Sequence, residues 1–493
     1  MLLVLTVLAI PHTSASTTCA CGNKKVLLVL AEFPGYRHLS SRADISRLFF
    51  SQVARYYLDV SYGKLSTTGN ATDWISLPRL YDQYVRANQF DLSAVALDSF
   101  SIASSVFNFT SFDDVLLILS YYPSPTADYV SLPIKIVTKS GNVASFAVLE
   151  EDRDWTVYAR GYALTLGLWR FSARIEGLGQ FDTVSAGQGD LSGWSKINLG
   201  WINDSQIETF VSPPIGHVVT LDSLEIPRGR TYVLQMGLPQ SEGFYQVEAR
   251  QSMGYDRDSL PEYGLVVLYV PPDNSSLQIR AVLEPNNVGK AIFLDPASDL
   301  SIIALNQTQT GFSMLVGSVQ DGRDAHRALY AISRADDAIH TAQVENRIDG
   351  LDLSQRLLAN ARALFLSGRF RDAEPLALSA VTTAESAVVP ADYSSSVQLI
   401  TQAESLRSQS QSIVSGQSIA LVMQGNVQLD VAKQAFVGRN FTLAKQHAQS
   451  AVDLYNRAKQ IEATEKILSW LGSFALVIPI IILAYALRYQ LKN

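Results

Sequence analysis

The spacing of apolar residues changes character three times along the chain. Over residues 25–202 short apolar runs alternate with amphipathic stretches, as an α/β layer structure requires. Residues 26–33 and 115–121 predict buried strands. Between them Leu48, Phe49, Val53 and Tyr56 share one face at helical spacing and predict a core-facing helix over 45–57. Over 217–319, β-branched and aromatic runs at 231–234, 245–249, 265–270, 277–282 and 302–305 are broken by Pro, Gly and Asn, which predicts a β-sandwich-like domain. After Gly322 glycine and proline thin out and alanine-rich helical periodicity takes over.

That helical region repeats itself. Residues 361–381 carry Gly368-Arg369-Phe370 followed by Ala373, Ala377 and Ala380; residues 432–452 carry Gly438-Arg439 and Phe441, then Ala444, Ala448 and Ala451, shifted by one inserted residue. Small residues every third or fourth position let two helices approach closely, and the Gly-Arg-aromatic group marks the turn of each αα-hairpin. The expectation is a tetratricopeptide-like helical stalk over 322–466. Beyond it, 467–487 carries no charge and is long enough as a helix to cross about 30 Å of hydrocarbon. Trp470 and Tyr485 stand near the two expected interfaces, and Arg488 and Lys492 predict a cytoplasmic tail at 488–493. At the other end, the apolar residues 2–10 precede Thr13 and Ala15, spaced as a small-x-small cleavage site, and read as a signal peptide within 1–21. A buried first strand is the other reading. The resulting expectation is a single-pass membrane protein with an extracellular ectodomain. Sequons at Asn70, Asn108, Asn203, Asn274, Asn306 and Asn440 are compatible with glycosylation there.

Composition narrows the function classes. Charged residues make up 17% of the 493 and hydrophobic ones 47%, a balance that fits apolar sequence going into lipid. The 39 Lys and Arg are outnumbered by 46 Asp and Glu, for a net charge of −7, which argues against a nucleic-acid binder. The two cysteines, Cys19 and Cys21, lie near the N-terminus, so the body has no thiolate for catalysis or metal binding. The histidines are His12, His38, His217, His326, His340 and His447, and no two stand at i, i+4.

Several blocks in the first 290 residues, taken in order, resemble the immune inhibitor A family of secreted, metzincin-like zinc peptidases. They are residues 26–34 (VLLVLAEFP), 56–65 (YYLDVSYGKL), Trp74 with Leu77-Pro78 and Tyr81, 181–187 (FDTVSAG), 194–202 (WSKINLGWI), 245–250 (YQVEAR) and 260–265 (LPEYGL). The family's chemistry uses His-Glu-x-x-His on a helix, because imidazoles at i and i+4 share one face and bind one zinc while the Glu serves as base. Anchoring on Leu166-Gly167-Leu168 puts the five motif positions on Arg160, Gly161, Tyr162, Ala163 and Leu164, and a later ligand on Arg170. Arg160 and Arg170 are permanently cationic, Gly161 has no carboxylate and Leu164 has no donor atom. The methionine of the turn beneath the metal is here Val184. The resemblance therefore implies a degenerate member whose helix over 157–169 packs but does not catalyse.

The remaining constellations are weaker. Gly187-Gln188-Gly189-Asp190 lacks the Lys-Ser/Thr of a phosphate loop and reads as a turn, and no Gly-x-Ser-x-Gly elbow occurs. Asp256, Asp258 and Glu262 are the one group read as a possible calcium site; no other cofactor is expected. Taken together, the sequence predicts a multidomain α+β chain. Its parts are a signal peptide (1–21), an inactive metallopeptidase-like, metzincin-like α/β head (22–215), a β-sandwich-like domain (216–321), a helical hairpin stalk (322–466), one transmembrane helix (467–487) and a cytoplasmic tail (488–493). The expected role is that of a membrane-anchored pseudopeptidase that binds or scaffolds protein or peptide partners, associating through the stalk as a homo- or hetero-oligomer and with the membrane through its C-terminal helix. An active peptidase with a non-standard site and an architectural surface-layer component are the alternatives.

Overall fold

The computed structural model describes residues 19–490 apart from 87–88, 122–127, 131–135, 140–145, 152–153, 240 and 274, with backbone alone at 128–130, 473–477 and 489–490. Most of the expected signal peptide, residues 1–18, and the sequon at Asn274 lie outside the described residues. The chain divides into two compact units, one of residues 1–333 with 360–375 and the other of 334–359 with 376–493.

The first unit opens with an α/β head. Its sheet is formed by β1 (Gly22–Glu32), β2 (Leu65–Ala71), β3 (Asp114–Leu119), β4 (Asp128–Val130) and β5 (Phe146–Glu150), in the order β2-β1-β3-β5-β4. All neighbours are parallel except the edge pair β5–β4, and Ile75–Ser76 extends the edge beside β1. A parallel strand covered on both faces reads as a continuous apolar run, and residues 26–31 of β1 are all fully buried. Val26, Leu28 and Leu30 join one core with Phe49, Val53 and Tyr56. Leu27, Val29 and Ala31 join another, with Val95 and Phe100 of α1 (Leu92–Ala103). After β5 the chain enters α2 (Trp155–Thr165), capped by Asp154, and later the short α3 (Gly193–Asn198), capped by Ser192.

Residues 207–317 fold as two sheets. One has the order β11-β10-β9-β8-β6, from β6 (Ile207–Phe210), β8 (Val233–Leu238), β9 (Ser241–Arg250), β10 (Gly264–Val270) and β11 (Gln278–Leu283). The other has the order β7-β14-β13-β12, from β7 (His217–Asp222), β12 (Ile292–Asp295), β13 (Leu300–Gln307) and β14 (Gly311–Gly317). They share one core, with Leu234, Val247 and Val267 from the first meeting Leu221, Ile302 and Met314 from the second. The back of the five-stranded sheet is also covered, because Val266, Leu268 and Val270 pack into the head's core.

Helices follow: α4 (Val319–Val344), α5 (Leu351–Leu366), α6 (Phe370–Glu385), α7 (Tyr393–Gln409), α8 (Gly416–Val437) and α9 (Phe441–Gln490). The two repeat turns close alike. Arg369 N–H reaches Leu364 O at 2.9 Å, and Asn440 N–H reaches Ala435 O at 2.9 Å. The left-handed residue is Gly368 (φ 77°) in the first turn but Arg439 (φ 60°) in the second, where Gly438 is still right-handed. The inserted residue thus moves the glycine off the position that most needs it. The alanines of both copies, Ala373, Ala377, Ala380, Ala444, Ala448 and Ala451, are fully buried.

The expected membrane-crossing helix requires correction. Among the described residues no helix is long and apolar enough to cross a membrane. Residues 467–487 belong to α9 (Phe441–Gln490), the long helix whose earlier turns pack in the second unit. The expected fold class, with its single span, gives way to a mixed α/β chain.

Candidate functional site

The positions singled out for zinc chemistry lie on α2 and just beyond it. Arg160 is half-buried, and its Nε donates to Thr183 O at 3.4 Å, in the turn that also carries the buried Val184. Burial lowers its guanidinium from the usual value, opposed by Asp154 and Asp182. Gly161 faces β5 so closely that a Cβ there would stand 2.6 Å from Leu149 Cδ2, so any larger residue would have to displace the Leu149 side chain. Leu164 is buried, whereas Arg170 is exposed and lies over the Trp169 ring at 5.3 Å. The first three positions are thus brought to the same helix against the sheet and the 182–187 turn, while Arg170 stands apart from them.

The histidines are scattered. His38 Nδ1 meets Glu32 at 2.7 Å, His217 Nε2 meets Glu208 at 2.8 Å, and His447 Nδ1 meets Gln428 at 2.6 Å. His326 lies with Arg323 and Ile292 in a groove of about 450 Å³. His340 is further along α4, and His12 lies outside the described residues. The residues proposed for calcium have other occupations. Asp256 is fully buried against Arg250, Glu262 pairs with Lys290 at 3.1 Å, and Asp258 sits in a left-handed turn (φ 61°) with its backbone N–H on Tyr263. Among the described residues no group of three or more His, Cys, Asp or Glu is arranged to hold a metal ion. Asn70, Asn108, Asn203, Asn306 and Asn440 are all exposed.

What the structure does bring together is a buried charge network between the head and the five-stranded sheet. Arg250 at the end of β9 is fully buried and makes a two-pronged bond to Asp256, with both contacts at 2.7 Å. It also reaches Glu248 at 3.1 Å and the carbonyls of Phe181 and Asp190. Lys196 of α3 is fully buried too, 2.5 Å from Asp190 Oδ2, and donates to Leu224 O and Tyr62. Asp182 accepts from Ser192 Oγ and Ser195 Oγ, each at 2.6 Å. Glu248 accepts from the N–H of Gly193, and Glu225 from that of Asp256.

Five carboxylates here share two cations, and the imbalance shows in their protonation. Burial pushes Asp190 up to about 7 even with Lys196 beside it. Burial, and then the charges of Asp190 and Asp256, push Glu225 up to about 8. Burial also raises Glu248, whereas Asp256, Glu248 and Asp190 together hold Arg250 well above its usual value although burial opposes them. The groups answer one another inside the protein, so the network clamps the head to the sheet. Asp182, Lys196, Glu248 and Arg250 all fall within the blocks that carry the family resemblance, but none was singled out from the sequence. The available signal was the alternation that puts Gln246, Glu248 and Arg250 on one face of a strand.

No protein-family model matches the chain, and no curated protein matches it.

Proposed function

We propose that this chain is a non-catalytic binding or scaffolding protein, built on a head with the architecture of a peptidase whose metal-binding residues are replaced. The observation that carries this reading is α2 itself. At the positions where a zincin helix presents two imidazoles and a carboxylate, the helix has Arg160 tied to the 182–187 turn, Gly161 pressed on Leu149, and a buried Leu164. Each residue is used for packing or for a backbone contact, and none supplies a lone pair to a metal or a base to water. Placement outside the cell is supported by the five exposed sequons.

The test is zinc content by elemental mass spectrometry on the purified full chain, with cleavage of an unfolded protein substrate measured in parallel. The expected outcome is well under one zinc per chain and no cleavage. One tightly held zinc per chain with chelator-sensitive cleavage would overturn the reading.

A further inference from the structure

The four-stranded sheet ends at β12, which among the described residues is paired with β13 alone. Just before that strand Ala304 N–H donates to Ala291 O at 2.8 Å, which makes residues 291 and 304 a hydrogen-bonded pair. Such pairs alternate along an antiparallel ladder, so the N–H and C=O groups of Ile292 and Leu294 point away from β13, toward the outer edge. The side chains of these two residues share one face by the period of two, opposite Phe293, which packs on the sandwich core.

Helix α4 turns that edge into a groove. Its first turn comes down on β12 at Gly322, where any Cβ would clash with Leu294 Cδ2. The groove, about 450 Å³, has Val288, Ile292 and Leu294 as its apolar part and Arg323, His326 and Arg327 along its helical wall. All six belong to the first unit. Leu294 is 39% exposed, and Arg323 and His326 are exposed as well. The carboxylates nearby are taken. Asp324 holds Arg327 and Arg371, Glu374 holds Arg327 a second time, Asp321 accepts the N–H of Ser318, and Glu262 and Glu284 hold Lys290. Among the described residues Arg323 has no ion-pair partner and His326 makes no hydrogen bond. The tyrosine rim at the carboxyl ends of β1 and β3 differs, because Tyr36 and Tyr121 stack at 4.6 Å and Tyr81 closes on both, at 5.5 and 5.0 Å, so these rings fill their own space.

We propose that the β12 edge takes up an extended peptide strand in which an acidic residue stands two places from an aliphatic one. Each observation selects one property of the occupant. The outward N–H and C=O groups of Ile292 and Leu294 match a backbone that offers both partners at the same repeat, as in strand addition to a sheet edge. Side chains at i and i+2 of an added strand fall on one face, so an aliphatic one can lie over Ile292 and Leu294 while a carboxylate meets the Arg323 guanidinium. A basic strand would instead bring like charge against Arg323 and Arg327. A free aliphatic carboxylate would use the apolar part and the arginine but leave the strand edge without partners. The proposal rests on the reading of the chain as a binding protein, but on none of the α2 positions.

The experiment is titration of the full chain with fluorescein-labelled Thr-Val-Thr-Glu-Thr-Val-Thr, followed by anisotropy. Saturable binding is expected. Of two versions of the peptide, N-methylated at the odd or at the even residues, at least one should bind about tenfold more weakly, because it loses the N–H groups that face the edge. Arg323→Glu, at an exposed position, should weaken the parent peptide by about tenfold or more, and replacing the peptide's Glu with Lys should restore binding to this variant to within about threefold of the parent pair. Arg228→Glu, an exposed arginine in the 226–230 turn, should leave binding unchanged. Absence of saturable binding, full-strength binding of both N-methylated peptides, unchanged affinity in Arg323→Glu, or failure of the lysine peptide to rescue that variant would overturn the proposal. Binding of decanoate that Arg323→Glu abolishes, with no binding of the peptide, would overturn it too and assign the groove to a free aliphatic carboxylate. Failure of the peptide leaves the zinc and cleavage results standing, and zinc-dependent cleavage would remove the non-catalytic reading without touching the peptide result.

Discussion

Two clusters in the first unit are built with comparable care and end differently. Around Arg250, charged groups are sealed from water and answered by one another or by a backbone group. At the rim around Tyr36, the rings are held by a turn, a serine and edge-on neighbours, and among the described residues their hydroxyls make no hydrogen bond. The first arrangement spends its polar capacity on architecture, and the second does not. Breaking the first should therefore unfold the molecule, whereas altering the second should leave the fold alone. The largest expected effect follows at once. Arg250→Ala strands Asp256 and Glu248 in a dry interior, and removing one partner of such a network costs about 3–5 kcal/mol. Chemical denaturation should show a midpoint lowered accordingly, or no folded protein; a loss under 1 kcal/mol would mean that water reaches the network.

A smaller effect is read from pH. Glu225 is pushed up to about 8 in the folded chain from its ordinary 4.5, chiefly by burial, so the unfolded chain releases its proton first as pH rises. The stability associated with its protonated form is fully present below about 4.5 and is lost as pH climbs toward about 8, and Asp190, pushed up to about 7, adds a loss of the same sign beginning near 3.8. Glu225→Gln mimics the protonated side chain and removes its part of that slope. Urea midpoints measured at pH 5 and pH 8.5 should differ less in Glu225→Gln than in the parent, with the variant the more stable of the two at pH 8.5. An identical pH dependence would show that Glu225 ionises freely and that the clamp is more open than its geometry implies.

How far the two clusters were legible follows from their patterns. The continuous apolar runs of β1 and β3 announce parallel strands buried on both faces, and the alanine ladder with its Gly-Arg turns announces the helical pairs. The strand at 245–250 is legible too, but not its surroundings. Tyr245, Val247 and Ala249 alternate with Gln246, Glu248 and Arg250, which a period of two reads as a core face and a water face. The second face is instead covered by the head, an event of tertiary packing that no local spacing records. The rim is harder still, because Tyr36, Tyr81 and Tyr121 lie far apart in the chain and meet only where strand order reverses. Arg439 shows the opposite limit, since the repeat marks the turn but an inserted residue decides which side chain takes the left-handed position. The uncharged 467–487 with its flanking Trp470, Tyr485 and Arg488 predicts a span, whereas among the described residues no helix is long and apolar enough to cross a membrane.

The smallest effect is the sharpest test of the comparison, because it asks for a change that does almost nothing. Tyr36→Phe removes one hydroxyl that has no partner among the described residues, and an exposed substitution of that kind shifts stability by no more than about 0.5 kcal/mol. The same substitution at Tyr57 provides the contrast. Its hydroxyl is fully buried and donates to Ala159 O at 2.7 Å, at the point where the 54–60 helix meets α2. Tyr57→Phe leaves that carbonyl without its side-chain donor and should cost about 1–3 kcal/mol. Paired thermal melts of the two variants should then separate clearly, with Tyr36→Phe at the parent's midpoint and Tyr57→Phe well below it. Equal losses would mean that the Tyr36 hydroxyl is engaged in solution, and the rim would belong with the clamp as architecture.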